Sequence, residues 1–596
     1  MAEATPDPVR VWAPRADRVD LVDLTDPDAG PVDHPMTAAG GGWWTVDPPA
    51  GLQDYGFRLD GDGTVRPDPR SRWQPAGVDG PTRRFDPDEY EWGDGAWTGR
   101  RLAGSIIYEL HVGTFTPEGT LDAAAGRLDH LLSIGVDMVE LLPVNAFAGT
   151  HNWGYDGVLW YAVQDSYGGP RAYQRFVDAC HRRGIGVIQD VVYNHLGAGG
   201  NHIPLFGPYL NPTAGGSPWG DSINLDGPDS GEVRRYIVDN VVMWLRDYHV
   251  DGLRLDAVHA LNDSHATHLL EDIAKRVDAL APHVRRPLSL IAESDLNDPK
   301  LITPREAGGY GLTAQWNDDF HHVLHVALTG ETDGYYADFG KMSDIVKVLS
   351  RAFFHDGTFS SFRGRDHGRP VDTLTTPAWR FLGYAQNHDQ VGNRAVGDRL
   401  TAQLSPDDLA IAAVLVLTSP FTPMLFMGEE WAAGTPWQFF TSHTDQFLAD
   451  ATREGRLEEF ARMGWDKDLV PDPQAESTFL DSKLDWSELG REPHARLLAL
   501  HRDLIALRRA RPELTDPWFG DLTATGDDEA RWLLVDRSGV RIAANLSDQE
   551  RRIPLGGPAG ALLLATRDGV RVDRASEPGA TLTLPPHSAA VLAPAS

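Results

Sequence analysis

The sequence predicts an α/β fold, a (β/α)₈ TIM-type barrel flanked by a β-sandwich at each end. Apolar strand-like runs alternate with amphipathic helical stretches through the middle of the chain, the rhythm of parallel βα units. No GxGxxG or GxxxxGK(S/T) string follows the first of these strands, which disfavours an open doubly wound sheet. At both ends the pattern changes to short β runs broken by Gly, Pro and Asp.

Residues 1–100 make the first unit. From Pro8 to about Glu91 the runs VRVWAP, VDLVDL, WWTVDP and YGFRLDG alternate with turn residues, and the Pro-, Arg- and Asp-rich stretch DPRSRWQPAGVDGPTRRFDPDEYEW serves as a connector. The barrel spans 101–515. Its eight predicted strands are IIYELHVGTF (from Ile106), MVELLPV (Met138), GVIQDVVYNH (Gly186), DGLRLDAV (Asp251), LSLIAES (Leu288), LTAQWND (Leu312), FLGYAQNHD (Phe381) and PMLFMGEE (Pro423). Helical stretches such as LDAAAGRLDHLLSIG, RAYQRFVDACHRRG, EVRRYIVDNVVMWLRDY and HLLEDIAKRVDAL separate them, with a short insertion near 197–230. The last helix, HARLLALHRDLIALRRARPEL, ends near Leu514. Residues 516–596 return to β runs (RWLLVD, RIAANLS, GALLLAT, TLTLPPHSAAVLAP) and make a second sandwich.

A chain of 596 residues is too long for one hydrophobic core, and its 41% apolar content is that of a folded protein. Lys and Arg are outnumbered 54 to 86 by Asp and Glu, for a net charge of −32, which excludes the basic surface that nucleic acid or an anionic membrane needs. The expected partner is a small or neutral molecule. The single cysteine, Cys180, excludes an internal disulfide and falls within an amphipathic helix that buries it. The N-terminus lacks a signal-peptide pattern and no 18-residue apolar run occurs, so a cytoplasmic protein is expected.

Strand C-termini of such a barrel converge on one face, and here they are unusually polar. The third strand ends in Asp190, Asn194 and His195. The fourth carries Arg254, Asp256 and His259, the fifth Glu293 and Asp295, and the seventh Asn387, His388 and Asp389. Taken singly, each has a structural use as a cap or an ion-pair partner. Together, acidic groups on several strand ends repel one another and cost stability unless a site uses them. Three carboxylates with an Arg and two His, and no Cys or HExxH pattern, suit acid/base and nucleophilic chemistry without metal or other cofactor. Glycoside hydrolysis is the simplest match, with one carboxylate held ionised by a cation such as Arg254 and another held protonated.

At these residues the sequence resembles the α-amylase family of glycoside hydrolases. Its four short regions occur in order as DVVYNH (190–195), GLRLDAVH (252–259), AESD (292–295) and QNHDQ (386–390). The resemblance implies Asp256 as nucleophile, Glu293 as general acid and then base, and Asp389 as the group that binds the distorted sugar and favours its transition state. It implies that Arg254 keeps Asp256 ionised, that His195 and His388 bond sugar hydroxyls, that Asp190 orients Arg254, and that Tyr155 in NWGYD stacks on the reacting ring. Trp153, His259, Asn387 and Gln390 complete the substrate-binding set expected in these regions and loops.

Region four, QNHDQVGN, departs from the Ser-His-Asp-Glu-Val string typical of branching enzymes. AESDLNDP, QWNDDFHH (315–322) and FMGEEWAAGTPWQFF are instead similar to members that cut maltooligosyltrehalose, releasing trehalose. The implied pathway partner is the maltooligosyltrehalose synthase. QWNDDFHH has other readings, a metal site or capping carboxylates with core aromatics. Its place at the end of strand six favours recognition of the leaving trehalose by Trp316, Asp318 and Asp319, with Phe320 as a wall. The alternatives are a branching or other amylase-family enzyme, a calcium-dependent amylase using Asn194, and a non-catalytic glucan-binding barrel; no metal is expected.

Overall fold

The computed structural model describes residues 7–211, 222–462, 469–574 and 579–595. Eight parallel strands close into a barrel: β1 (Ile107–Leu110), β2 (Met138–Leu141), β3 (Gly186–Val191), β4 (Gly252–Leu255), β5 (Ser289–Ala292), β6 (Ala314–Trp316), β7 (Phe381–Gly383) and β8 (Thr422–Phe426). Each pairs with its sequence neighbours and β8 returns to β1. Every residue of these strands is buried, because helices cover the outside and side chains fill the inside. That is why the strands read as nearly continuous apolar runs instead of alternating ones.

The exceptions to apolarity follow the period of two. Ile107, Met138, Ile188, Ile291, Ala314, Leu382 and Met424 meet in one apolar cluster, the floor of the barrel interior. Two residues further along stand Glu109, Glu140, Asp190, Glu293, Trp316 and Tyr384; the period carries the four acids into a layer above that floor, and Trp316 and Tyr384 pack against it. Register completes the layer, since Asp190 pairs with Arg254 across β3 and β4, and Glu109 with Glu140 across β1 and β2.

The helices follow the predicted stretches with local changes. LDAAAGRLDHLLSIG divides into Leu121–Ala125 and Leu128–Ile134, and the last helix runs from His494 to Ala510 before Pro512 opens a 3₁₀ turn. Cys180 lies in helix Gly169–Arg182, fully buried, and burial pushes its thiol well up. The expected insertion near 197–230 holds the short helix Ile203–Phe206 and a bridge between Leu210 and Ile223, and residues 212–221 within it lie outside the described residues. No helix among the described residues is long and apolar enough to cross a membrane.

At the N-terminal end a three-stranded and a four-stranded antiparallel sheet share a core that includes Val11, Leu21 and Phe57. Strands Val32–Pro35, Thr37–Gly40 and Thr82–Arg83 were not legible in the sequence; the first two are largely exposed and lack an apolar face. At the C-terminal end a five-stranded and a three-stranded sheet bury Ile553, Leu582, Ala590 and Leu592 between them.

Candidate active site

The site is assembled around one side chain. Arg254 and Asp256 are two apart at the end of β4, so both point into the barrel. The Arg254 guanidinium is fully buried, and its Nη1 donates to Asp256 Oδ1 at 2.7 Å and to Asp190 Oδ2 at 2.9 Å. Its Nη2 lies 3.8 Å from Glu293 Oε2, and the guanidinium carbon stands 4.3 Å over the Trp316 ring. One cation thus reaches three carboxylates and rests on an indole.

The backbone turn after β4 brings Glu293 close to Asp256. Ala257, next to Asp256, takes a left-handed conformation at φ 39° and donates its N–H to Glu293 Oε2. The Asn194 amide donates to Asp256 Oδ2 at 2.7 Å, so both Asp256 carboxylate oxygens are held. The two carboxyls are driven apart electrostatically. Burial pushes Asp256 up, but Arg254, His195 and Asn194 more than reverse this and hold it below the usual carboxylate range. For Glu293 burial prevails over Arg254 and is reinforced by Asp256, Asp389 and Asp318, so its carboxyl lies well above that range.

A second line of contacts leads to the seventh strand. The Tyr155 hydroxyl donates to Asp190 Oδ2 at 2.7 Å and lies 2.7 Å from His388 Nε2. Its half-buried ring is stacked on the His388 imidazole, 5.3 Å between centroids. His388 opens the short helix His388–Gly392, which carries the part-exposed Asp389 with His388 Nε2 3.6 Å from its Oδ1. His195 Nε2 donates to the Tyr155 carbonyl at 2.8 Å. Burial raises Asp190 to about 6 despite Arg254.

Asp256, Glu293, Asp389, Arg254, Asp190, His195, His388 and Tyr155 therefore converge as the sequence led one to expect, with Asp318 beside them. Asp318 accepts from the Tyr384 hydroxyl and lies within the electrostatic reach of Glu293 and Asp389. His259 sits on the rim, 3.9 Å from Asp295, and Gln390 is half-buried.

Other expected ligand contacts are corrected by burial. Trp316, 2% exposed, floors the Arg254 guanidinium and offers no open face for a sugar. Trp153 is stacked on Trp437 at 4.4 Å and donates its Nε1 to the Gln438 carbonyl, so it braces the loop instead of presenting a platform. Phe320 is fully buried against Phe421 and cannot wall a binding site. Asn387 is fully buried, and its side-chain oxygen accepts from the Gln390 N–H, capping the helix of Asp389. Asp319 is buried too: its Oδ2 accepts from the Phe354 and His355 N–H groups at 2.8 and 2.9 Å and from Asn297 Nδ2 at 2.7 Å. Asp319→Ala leaves these donors without their partner and costs about 2–4 kcal/mol of stability. The expected reading is a lowered urea midpoint with the preference between trehalose-capped and plain maltooligosaccharides unchanged.

The aromatic surface that strand six lacks is supplied by the segment after it. Hairpin strands Thr358–Ser360 and Arg365–His367 present Phe362, 54% exposed, edge-on to Tyr335 at 6.1 Å. Arg363 beside it bonds Asp295 at 2.9 Å, two residues beyond Glu293, and the Tyr335 hydroxyl lies 3.5 Å from Gln390 Oε1, next to Asp389. The only advance signal was the pair of phenylalanines in the Gly- and Arg-rich run TFSSFRGR. Sequence reasoning also missed Glu109 in the middle of β1.

A closed parallel barrel in which two neighbouring carboxyls around one arginine are driven to opposite sides of the usual range is the arrangement of an α-amylase-type glycoside hydrolase. The profile of the α-amylase catalytic domain matches residues 80–202, and that of a domain of unknown function (DUF3459) matches residues 517–591. The chain is 58% identical to a malto-oligosyltrehalose trehalohydrolase of Rhizobium sp. (strain M-11), over 98% of this chain and 97% of that one. It is 60% identical to one from Arthrobacter ramosus, over 93% and 95% of the two chains. The crystal structure of a Salmonella typhimurium protein provisionally called an alpha amylase superposes with a TM-score of 0.87 at 37% identity, covering 98% of this chain and 97% of that one. The chain belongs to the malto-oligosyltrehalose trehalohydrolase family.

Proposed function

We propose that this chain cleaves the α-1,4 bond joining a maltooligosaccharide to a terminal trehalose, with retention at the anomeric carbon. The observation that carries the reading is Arg254, whose guanidinium spans Asp256, held below the usual carboxylate range, and Glu293, pushed well above it by burial. Asp256 attacks the anomeric carbon as Glu293 passes its proton to the glycosidic oxygen, so that bond breaks and trehalose departs. Water then attacks the same carbon, giving its proton to the Glu293 carboxylate, and the ester to Asp256 is broken. Tyr155 faces the reacting ring and Asp389 addresses its hydroxyls, while the two histidines, buried with both ring nitrogens engaged by protein groups, hold Tyr155 and Asn194 in place.

Because Glu293 protonates the leaving oxygen, the leaving disaccharide lies on its side of the site. The Tyr335–Phe362 pair, tied down through Arg363 to Asp295, is placed to receive it, with Asp318, His259 and Gln390 as polar contacts. Phe362→Ala is expected to raise KM for maltotriosyltrehalose about tenfold, the loss of roughly 1.4 kcal/mol of aromatic contact. KM for plain maltopentaose should stay within about twofold. Equal losses on both substrates would remove the platform from the reading.

The chain is taken to work in the cytoplasm, on product delivered by a maltooligosyltrehalose synthase, with a unit at 1–100, the barrel at 101–515 and a closing unit at 516–596. The experiment is incubation with maltotriosyltrehalose, amylose and glycogen in parallel. Free trehalose from the first alone supports the assignment, and new α-1,6 branches in either polymer would overturn it.

A further inference from the structure

We propose that Glu109, in the middle of β1 and remote from all four amylase-family regions, is a positioning residue that holds His388 as a cation and so aligns both Tyr155 and the helix bearing Asp389. The inference rests on the reaction proposed above. One Glu109 oxygen accepts from the His388 backbone N–H at 2.9 Å and the other from its ring Nδ1 at 2.6 Å. A single carboxylate thereby grips both the start of the Asp389 helix and the imidazole. Glu109 and His388 are each 1% exposed, so water does not weaken the pair.

With Nδ1–H committed to Glu109, Nε2–H is left to point at Tyr155. From there the contacts run without a break: His388 Nε2 to the Tyr155 hydroxyl at 2.7 Å, that hydroxyl to Asp190 Oδ2 at 2.7 Å, Asp190 to Arg254 Nη1 at 2.9 Å, and Nη1 to the nucleophile at 2.7 Å. Charges alternate along it, from Glu109 through His388 and Asp190 to Arg254 and Asp256. Tyr155 can donate to Asp190 only while it accepts from His388, so a neutral His388 with its proton on Nδ1 breaks the line at Tyr155.

The groups facing His388 come from several elements. Glu109 approaches from β1 and His111, pushed down by burial to about 3, from just after it, Glu140 from β2, Asp190 and Arg254 from β3 and β4, and Asp389 from its own helix. Burial pushes the imidazole down, but Asp389 and Glu109 reverse that and raise it to about 9. Glu140 does not compete as an anion, because burial beside Glu109 and Asp190 holds it well above the usual range. Among the described residues its carboxyl has no hydrogen-bond partner where that of Glu109 has two, which singles out Glu109 as the holder.

Release of trehalose from maltotriosyltrehalose is to be followed from about pH 5 to about pH 9.5 for wild type, Glu109→Gln and Glu109→Asp. Glutamine keeps one acceptor for the backbone N–H, removes the charge, and faces Nδ1 with an N–H donor in place of the second acceptor. Expected for Glu109→Gln is a fall in kcat of roughly 30- to 300-fold, KM within about twofold, and an alkaline limb of kcat/KM lowered by about one pH unit or more. Glu109→Asp should recover at least about tenfold of the lost kcat. An unmoved pH profile, or a loss of kcat that merely follows a lowered melting temperature, would make Glu109 a strut and overturn the inference. Independently of turnover or of how well the variants fold, the ¹⁵N shifts of His388 in wild type, assigned by their loss in His388→Asn, must report an imidazolium at about pH 7.5. A neutral ring there would also overturn it. Failure of active-site-intact wild type to release trehalose would instead count against the proposed reaction.

Discussion

Asp256→Asn is expected to lower kcat for trehalose release by about 10⁴-fold or more. The amide has the size of the carboxylate but cannot form the ester on which the first displacement depends. The fold should tolerate it, because Arg254 keeps its bonds to both oxygens of Asp190 and its stacking on Trp316. The variant therefore separates chemistry from folding, whereas loss of Arg254 itself strands several buried carboxylates. A 2-deoxy-2-fluoro glycosyl fluoride, which slows the second step, should label wild type at Asp256 alone, as read by peptide mass. Label on another carboxylate, or activity of Asp256→Asn within about tenfold of wild type, would contradict the assignment of the nucleophile.

Glu293→Gln is expected to cost about 10³-fold or more on maltotriosyltrehalose and far less on α-maltosyl fluoride, whose leaving group needs no proton. Because Glu293 lies well above the usual carboxylate range and Asp256 below it, wild-type kcat/KM should fall on the acid side with Asp256 and on the alkaline side with Glu293 and His388. The variant should lose the Glu293 limb. A linked stability effect has a definite sign. A carboxyl with a raised folded-state pKa contributes stability that is full below its unfolded value and is lost as pH rises through the folded one. Glutamine has no such loss, so the melting temperature of Glu293→Gln should exceed that of wild type at alkaline pH and converge with it in acid. Equal losses on both substrates would point to an acid elsewhere.

The two carboxylates and their arginine were legible because strand-end position and a period of two dictate which side chains enter the barrel, whatever the rest of the chain does. Arg254 and Asp256 share a face by spacing alone, and register then brings in Asp190. QWNDDFHH was misread for the opposite reason. Its position at the end of β6 correctly puts it near the site, but depth along a helix start depends on what packs over it. There Asp319 turns to cap Phe354 and His355, Phe320 meets Phe421, and Asp318 stays within electrostatic reach of Glu293. Trp153 and Trp316 were misplaced in the same way, since an indole after a strand becomes a platform or a buried support according to its neighbours.

Glu109 shows the converse. A carboxylate inside an apolar strand is a conspicuous break in pattern, yet its meaning needs the distant His388, which only barrel closure brings to it. The same holds for Phe362 and Tyr335, joined across a hairpin and a 3₁₀ turn that local propensity does not specify. By itself, the sequence determined the barrel, its flanking β units and the gathering of carboxylates at the strand ends, because periodicity and strand-end chemistry are properties of short segments. Tertiary structure alone decided which buried carboxyl is pushed up and which is held down, which aromatics stay exposed and which acid grips His388. Those outcomes turn on desolvation and charge pairing, and both depend on atoms that come together only when remote segments pack.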